Sequence, residues 1–341
     1  MNPKPQEWPV LAVCGYSGAG KTTLLEALLP RLRARGLCVA IVKHDVHGLS
    51  LDRAGKDSDR LFRSGGDVLL EGPGEGFFRF HDPQPLDDLL AQLHPRYDLV
   101  LVEGHKDTPL PRIWLHGEGG DDVPCDGGEV LAAFPRNVDR VEAVLALLEP
   151  WLLQRRQLMP LGGCVLIGGA SRRMGRPKHL LEKEGRTWLE HLLAVLASRC
   201  NEVVIGGAGA LPPSVAAMTR LPDVPSVEGP LAGLLAAMRW APGACWVFSP
   251  CDMPDFHQAA LDWLLAQRAP GTWAILPRLP GSPGVEPLGA CYEPQALPLL
   301  ETMARQGRFR LNALAAHPKV ATPEVPPELA GAWRNVNWSK V

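Results

Sequence analysis

Gly15-Tyr16-Ser17-Gly18-Ala19-Gly20-Lys21-Thr22 spells G-x-x-x-x-G-K-[ST] without a mismatch. Glycines in such a loop let successive backbone N–H groups converge on phosphate oxygens. Lys21 adds a point charge for the β- and γ-phosphates, and the Thr22 hydroxyl is a hard oxygen ligand for Mg2+. The expected phosphate-binding set is Gly15, Ser17, Gly18, Ala19, Gly20, Lys21, Thr22 and Thr23. Further on, Tyr97–Val102 reads as a buried strand that delivers Glu103 at its carboxyl end, where ligands of parallel sheets collect. Glu103 is the expected second Mg2+ ligand; Asp98, at the start of that strand, is the weaker candidate. Lys43-His44-Asp45-Val46-His47 follows another strand at the same end. Two histidines without further ligands do not make a zinc site, so a phosphate or metal role stands beside a plain surface reading.

A second glycine-rich turn carries different chemistry. Leu166-Ile167-Gly168-Gly169 leads into Ala170-Ser171-Arg172-Arg173-Met174-Gly175-Arg176-Pro177-Lys178. This is no P-loop, but its cations suit a triphosphate whose leaving pyrophosphate must be neutralised, with Arg173 and Lys178 as the catalytic candidates. Glu228-Gly229-Pro230-Leu231-Ala232-Gly233 places proline at a helix N-terminus, where Gly229, Pro230 and Gly233 permit close approach of a base or ribose. Cys245–Phe248 is an apolar strand that ends, past Ser249-Pro250-Cys251, on Asp252, the expected catalytic Mg2+ ligand; Asp255 lies beyond the turn and is the lesser candidate.

Strands and helices must alternate to hold such loops. Val10–Cys14, Cys38–Val42 and Leu99–Val102 are short apolar strands. Thr22–Arg35 sets Leu24, Leu25, Leu28, Leu29 and Leu32 on one helical stripe that ends at Gly36, with a kink expected at Pro30. A Gly- and Asp-rich stretch over 117–128 reads as an exposed loop, and Val138–Leu153 as a helix. Gln154–Gly163 reads as a linker, after which the pattern restarts at Cys164 with Trp188–Cys200 helical and Glu202–Ile205 extended. Alternation of this kind predicts parallel, doubly wound sheets.

Composition excludes several classes. At 341 residues, 46% hydrophobic and 21% charged, the chain has material for two globular domains. A net charge of -2 offers no footprint for nucleic acid. No uncharged apolar run is long enough for a membrane span, and MNPKPQEWPV has neither a basic nor a long apolar segment of a secretory signal. The eight cysteines contain no C-x-x-C pair and fall largely in apolar runs, as free thiols of a cytoplasmic protein do.

The motifs of the second half, L-I-G-G-x-S-x-R-M-G-x-x-K, then D…G-P-L-A-G, P-C-D-M-P and the Asn335-x-Asn337 pair, resemble the MobA-type molybdenum cofactor guanylyltransferases over Cys164–Trp338. The first half, with G-x-S-G-x-G-K-T-T-L, the I-V-K-H-D strand end, Gly55-Lys56-Asp57-Ser58 and Glu103-Gly104-His105-Lys106, is similar to the MobB-type molybdopterin-guanine dinucleotide biosynthesis proteins. The resemblance implies an α/β fold of two doubly wound, Rossmann-like three-layer domains. A P-loop NTPase-type domain takes 1–155 and a nucleotidyltransferase domain 156–341. It implies transfer of GMP from Mg·GTP to the terminal phosphate of metal-bound molybdopterin, with pyrophosphate released. Leu166, Ile167, Gly168 and Gly169 would line the GTP, Lys178 its phosphates, Asp223 the nucleoside and Asp252 the Mg2+; Asn335 and Asn337 would close the site, Asn337 toward metal or pterin. Ile167 stands where the family usually has alanine, and Gly206 where it often has asparagine. The P-loop half would be a GTP-binding partner with weak GTPase activity. Other partners left open are apo-molybdoenzymes, their chaperones and a second copy of the chain. Two alternatives also stay open: cytidylyl or sugar-phosphate nucleotidyl transfer, and a P-loop half that only binds and delivers. The Gly168-Gly169 pair favours GTP over CTP, because related cytidylyltransferases tend to carry A-G there.

Overall fold

A five-stranded and a seven-stranded sheet each occupy one half of the chain. The computed structural model describes residues 7–44, 52–82, 84–118, 122–168 and 177–336.

In the first half, β1 (Val10–Cys14), α1 (Lys21–Ala34) and β2 (Val39–Lys43) are followed by α2 (Asp57–Arg63) and a hairpin of β3 (Val68–Gly72) and β4 (Glu75–Arg79). Then come α3 (Leu86–Leu93), β5 (Leu99–Glu103), β6 (Arg112–Leu115), β7 (Val130–Phe134) and α4 (Arg140–Leu158). The main sheet is parallel throughout, in the order β2-β5-β1-β6-β7. α1 and α4 cover one face through Leu24, Leu25, Leu28, Val144, Leu148 and Trp151; Leu90 of α3 and Trp8 cover the other. Each such aliphatic side chain removed from water stabilises the layer by about 1.5–3 kcal/mol. The leucine stripe holds α1 together through Pro30, which faces solvent, so no break occurs there. The β3–β4 hairpin forms a separate antiparallel sheet that the periodicity did not announce, because Leu69 and Phe78 on it are 68% and 54% exposed.

The expected linker at 154–163 does not exist as such. α4 continues to Leu158, with Trp151, Leu152 and Arg156 buried, and β8 (Leu161–Leu166) begins after Met159-Pro160. Gly162 and Gly163 looked like linker glycines, but they are strand positions under close approach. A Cβ on Gly162 would come 2.6 Å from the Trp246 ring, and one on Gly163 3.0 Å from Leu196.

The second half continues with β9 (Glu182–Lys183), β10 (Arg186–Thr187), α5 (Trp188–Ala197), β11 (Glu202–Gly206), β12 (Arg220–Leu221) and α6 (Pro230–Trp240). It ends with β13 (Cys245–Pro250), α7 (Gln258–Ala266), β14 (Ala274–Ile275), β15 (Ala290–Tyr292), α8 (Ala296–Arg305) and β16 (Val320–Ala321). The sheet order is β12-β11-β8-β13-β15-β14-β16, and β15 runs antiparallel to both neighbours. α5 and α7 pack on one face, α6 and α8 on the other. Both halves are therefore three-layer α/β structures. All eight cysteines are free thiols, and only Cys125 is exposed. Among the described residues no helix is long and apolar enough to cross a membrane.

Candidate functional site

The first site forms where β1 hands over to α1. Gly20 takes a left-handed conformation (φ 89°) as the N-cap of α1, so the helix N-terminus opens directly onto the loop. Gly15 is required by contact as well: a Cβ there would lie 2.6 Å from the Leu115 carbonyl. Lys21 Nζ lies across the loop and donates to the carbonyls of Gly15 (2.9 Å) and Tyr16 (3.0 Å). Thr22 Oγ1 donates to Glu103 Oε1 at 2.8 Å, and Lys43 Nζ lies 3.7 Å from Glu103 Oε2. The hydroxyl and the carboxylate expected to share Mg2+ are thus adjacent although 81 positions apart. Both are hard oxygen donors beside the loop, the type Mg2+ selects.

Asp98 lies at the opposite end of β5. Its carboxylate is fully buried and accepts from Cys38 N (2.8 Å) and from Trp273 Nε1 (3.0 Å) of the second half, so it is no alternative to Glu103. His44 meets His105 with ring centroids 4.9 Å apart, and burial followed by His44 pushes the His105 pKa down. Asp45 and His47 lie outside the described residues. Two residues of this site were missed in the sequence. Arg140 donates to the carbonyls of Ala19 (2.8 Å), His116 (2.6 Å) and Phe134 (2.9 Å), and Arg136 to that of Gly18 (2.7 Å). They brace the loop from behind. The available signal was an arginine in the first turn of a helix, where the helix dipole disfavours a cation.

The second site is assembled at the carboxyl ends of β8, β11 and β13. Pairing sets Pro250 beside Leu166, and Cys251 N donates to the Leu166 carbonyl at 3.1 Å, which brings the Leu166–Gly168 turn against Asp252. Lys178 Nζ donates to Asp252 Oδ2 at 2.9 Å, with both side chains mostly buried. The Asp252 carbonyl accepts from Val336 N at 2.9 Å, so the segment holding Asn335 is anchored on this centre. Asp255 is saturated instead. Lys183 Nζ and Arg334 Nη2 each reach it at 2.7 Å, and these cations, Lys183 foremost, hold its carboxyl below the usual range.

On the α6 side, Gly233 makes room for Leu166: a Cβ would meet Leu166 Cδ2 at 2.5 Å, with Asp223 Oδ1 at 3.5 Å. Asp223 therefore borders the same recess as Leu166, and desolvation pushes its pKa up. Gly206 is glycine for the same reason, since a Cβ would meet Leu166 at 2.8 Å. Gly229 (φ 67°) is the N-cap of α6 and Pro230 its first residue, both at the exposed rim. Ile167 is a correction. The residue is 4% exposed and its side chain packs in the α5–α7 core, so that side chain is core and does not line an open recess. A Cβ on Gly168 (φ 126°) would meet nothing within 4 Å among the described residues. Gly169, Arg173 and Asn337 lie outside the described residues.

A parallel sheet with a phosphate loop, joined to a mixed sheet with a Lys–Asp pair at its strand ends, defines a nucleotide-binding P-loop domain fused to a nucleotidyltransferase. A family model described as "Molybdopterin guanine dinucleotide synthesis protein B" matches residues 10–133, and one described as "MobA-like NTP transferase domain" matches residues 163–320. A molybdopterin-guanine dinucleotide biosynthesis adapter protein of Haemophilus influenzae is 39% identical over 159 residues, which is 42% of this chain and 89% of that protein. A probable molybdenum cofactor guanylyltransferase of Bacillus cereus is 30% identical over 157 residues, 45% of this chain and 78% of its own length. Another from a second strain is 34% identical over 135 residues, 38% of this chain and 66% of that protein. The chain belongs to the MobB family in its first half and to the MobA-like nucleotidyltransferase family in its second.

Proposed function

We propose that the second half transfers GMP from GTP to the terminal phosphate of molybdopterin, forming the guanine dinucleotide and pyrophosphate. The observation that carries this reading is the Lys178–Asp252 pair at 2.9 Å, set beside the Leu166–Gly168 turn and across from Asp223. Asp252 would hold Mg2+, which supplies charge neutralisation between triphosphate and acceptor phosphate. Lys178 would stay with the phosphates and offset the charge that gathers on the departing pyrophosphate. An acceptor phosphate oxygen attacks the α-phosphorus, the bond to the bridging oxygen breaks, and pyrophosphate leaves. Asp223 and the Gly229–Gly233 rim would receive the nucleoside; Arg173, Gly169 and Asn337 belong to the proposal through their sequence motifs.

The first half would bind GTP, with phosphates on the Gly15–Thr23 loop and Mg2+ between Thr22 and Glu103, hydrolyse it slowly and act as an adaptor for the molybdenum cofactor. The protein would work in the cytoplasm. Incubation with Mg2+, molybdopterin and each of four nucleoside triphosphates tests the transfer. The guanine dinucleotide should dominate, and equal product from CTP would overturn the assignment.

A further inference from the structure

The surface between the two halves is built from buried charge. Asp98 and Glu293 have carboxylates with no exposure, one from each half. Around them stand Arg156 from the end of α4, Arg268 and Lys319. Lys319 Nζ lies 3.1 Å from Asp98 Oδ2, while Arg156 lies 3.7 Å from Asp98 Oδ1 and 3.3 Å from Glu293 Oε1. Arg268 grips Glu293 at 2.7 and 3.2 Å and donates to the Arg156 carbonyl at 2.9 Å. Further hydrogen bonds complete the surface: Arg156 to the Thr272 carbonyl (2.7 Å), Trp273 Nε1 to Asp98 (3.0 Å), and Gln295 Nε2 to the carbonyls of His94 (3.2 Å) and Tyr97 (3.0 Å). Domain contacts within a chain are usually polar and allow relative motion, but parting buried charges leaves each uncompensated, which is strongly destabilising.

The strands show which ends meet. Cys38, His94 and Asp98 precede β2 and β5, so they lie at the amino edge of the first sheet. Trp273 and Lys319 precede β14 and β16, and the register of Ala274 and of Trp246 with Tyr292 puts them level with the start of β13, the amino edge of the second sheet. Both nucleotide sites lie at the carboxyl edges. α4 spans the first half accordingly: Arg140 braces the phosphate loop at its start and Arg156 reaches the interface near its end.

We infer that the Asp98–Arg156–Glu293–Arg268–Lys319 set locks the two halves back to back, so that the P-loop site and the transfer site face away from each other and form no composite site within one chain. Two strand lengths of five or six residues at about 3.3 Å each, plus the interface, separate the mouths by about 40 Å. Each mouth engages its ligand, or a second protein, without displacing the other. Dinucleotide made at one end reaches the other only by leaving the chain's own transfer site.

Spin labels on an encoded keto amino acid at Tyr16 and at Glu228, both exposed at the two mouths, measure this in the full chain by pulsed dipolar spectroscopy. A distance of about 40 Å or more is expected from the strand lengths; one under about 30 Å that persists on dilution with unlabelled chain overturns the proposal. A short distance that dilution removes arises between chains and leaves the long one. Asp98→Asn, compared with the milder Trp273→Phe should the first variant misfold, tests the lock. The expected result is a lowered or divided thermal transition with GTP affinity at each site within about twofold of wild type. A single unchanged transition in both variants would take the ion set out of this role.

Discussion

The two candidate phosphate sites are built by opposite means. The first centres on one continuous stretch, Gly15–Thr22, whose backbone N–H groups would supply most of the phosphate donors and whose shape depends on a few glycine conformations. Distant residues add a carboxylate, Glu103 against Thr22, and brace the loop from behind, as Arg140 and Arg136 do. The second is gathered from the ends of β8, β11 and β13 and from the start of α6, and its central ion pair joins residues 74 positions apart. A contiguous cradle is robust to changes elsewhere in the fold, whereas a dispersed one depends on strand order and on glycines such as Gly206 and Gly233 that let Leu166 fit.

The sharpest way to break this contrast is Asp252→Asn. The shape stays, the charge goes, and transfer should fall at least about a hundredfold, the scale of losing one electrostatic stabiliser. Metal-free GTP binding should change little by titration; near-normal turnover at saturating Mg2+ would shift the metal to Asp223. Next in size is Lys21→Ala, which should weaken GTP binding to the first site by about ten- to a hundredfold, the range for a hydrogen bond to a charged group. Calorimetric titration should still show the second site intact. Collapse of transfer in the same variant would mean that the two loops act as one.

A smaller effect is expected for base choice. GTP should outcompete CTP by at least about tenfold in product formed, or about 1.4 kcal/mol in the transition state. Because Ile167 points into the core, Ile167→Ala should leave that ratio unchanged and lower stability instead.

The least of these effects concerns the body between the sites. His94 is buried against Trp8, and burial above all pushes its pKa down to about 4 from 6.5. The folded state holds the imidazole neutral while the unfolded chain takes up a proton below pH 6.5. Stability from this residue is therefore complete above about pH 6.5 and is lost as pH falls toward 4. Melting curves should shift down by several degrees over that window and be steeper in pH than those of His94→Gln. Parallel pH profiles for both proteins would remove His94 from the account.

Much of the placement of the candidate site residues was legible without coordinates wherever it was local. The phosphate loop, Thr22, Glu103 and Asp252 are each fixed by a short motif or by the carboxyl end of an apolar strand, because backbone dihedrals and strand polarity are properties of neighbouring residues. The same local signs misled where glycine served packing. Gly162 and Gly163 read as linker, yet they let Trp246 and Leu196 close onto β8. Only the tertiary structure decided that Lys178 meets Asp252 while Lys183 and Arg334 occupy Asp255. It also turned Ile167 inward and carried Asp98 from the list of metal ligands to the junction of the halves. Those outcomes depend on which strands pair and in what register. That is settled by packing across whole sheets, over separations at which sequence spacing carries no distance.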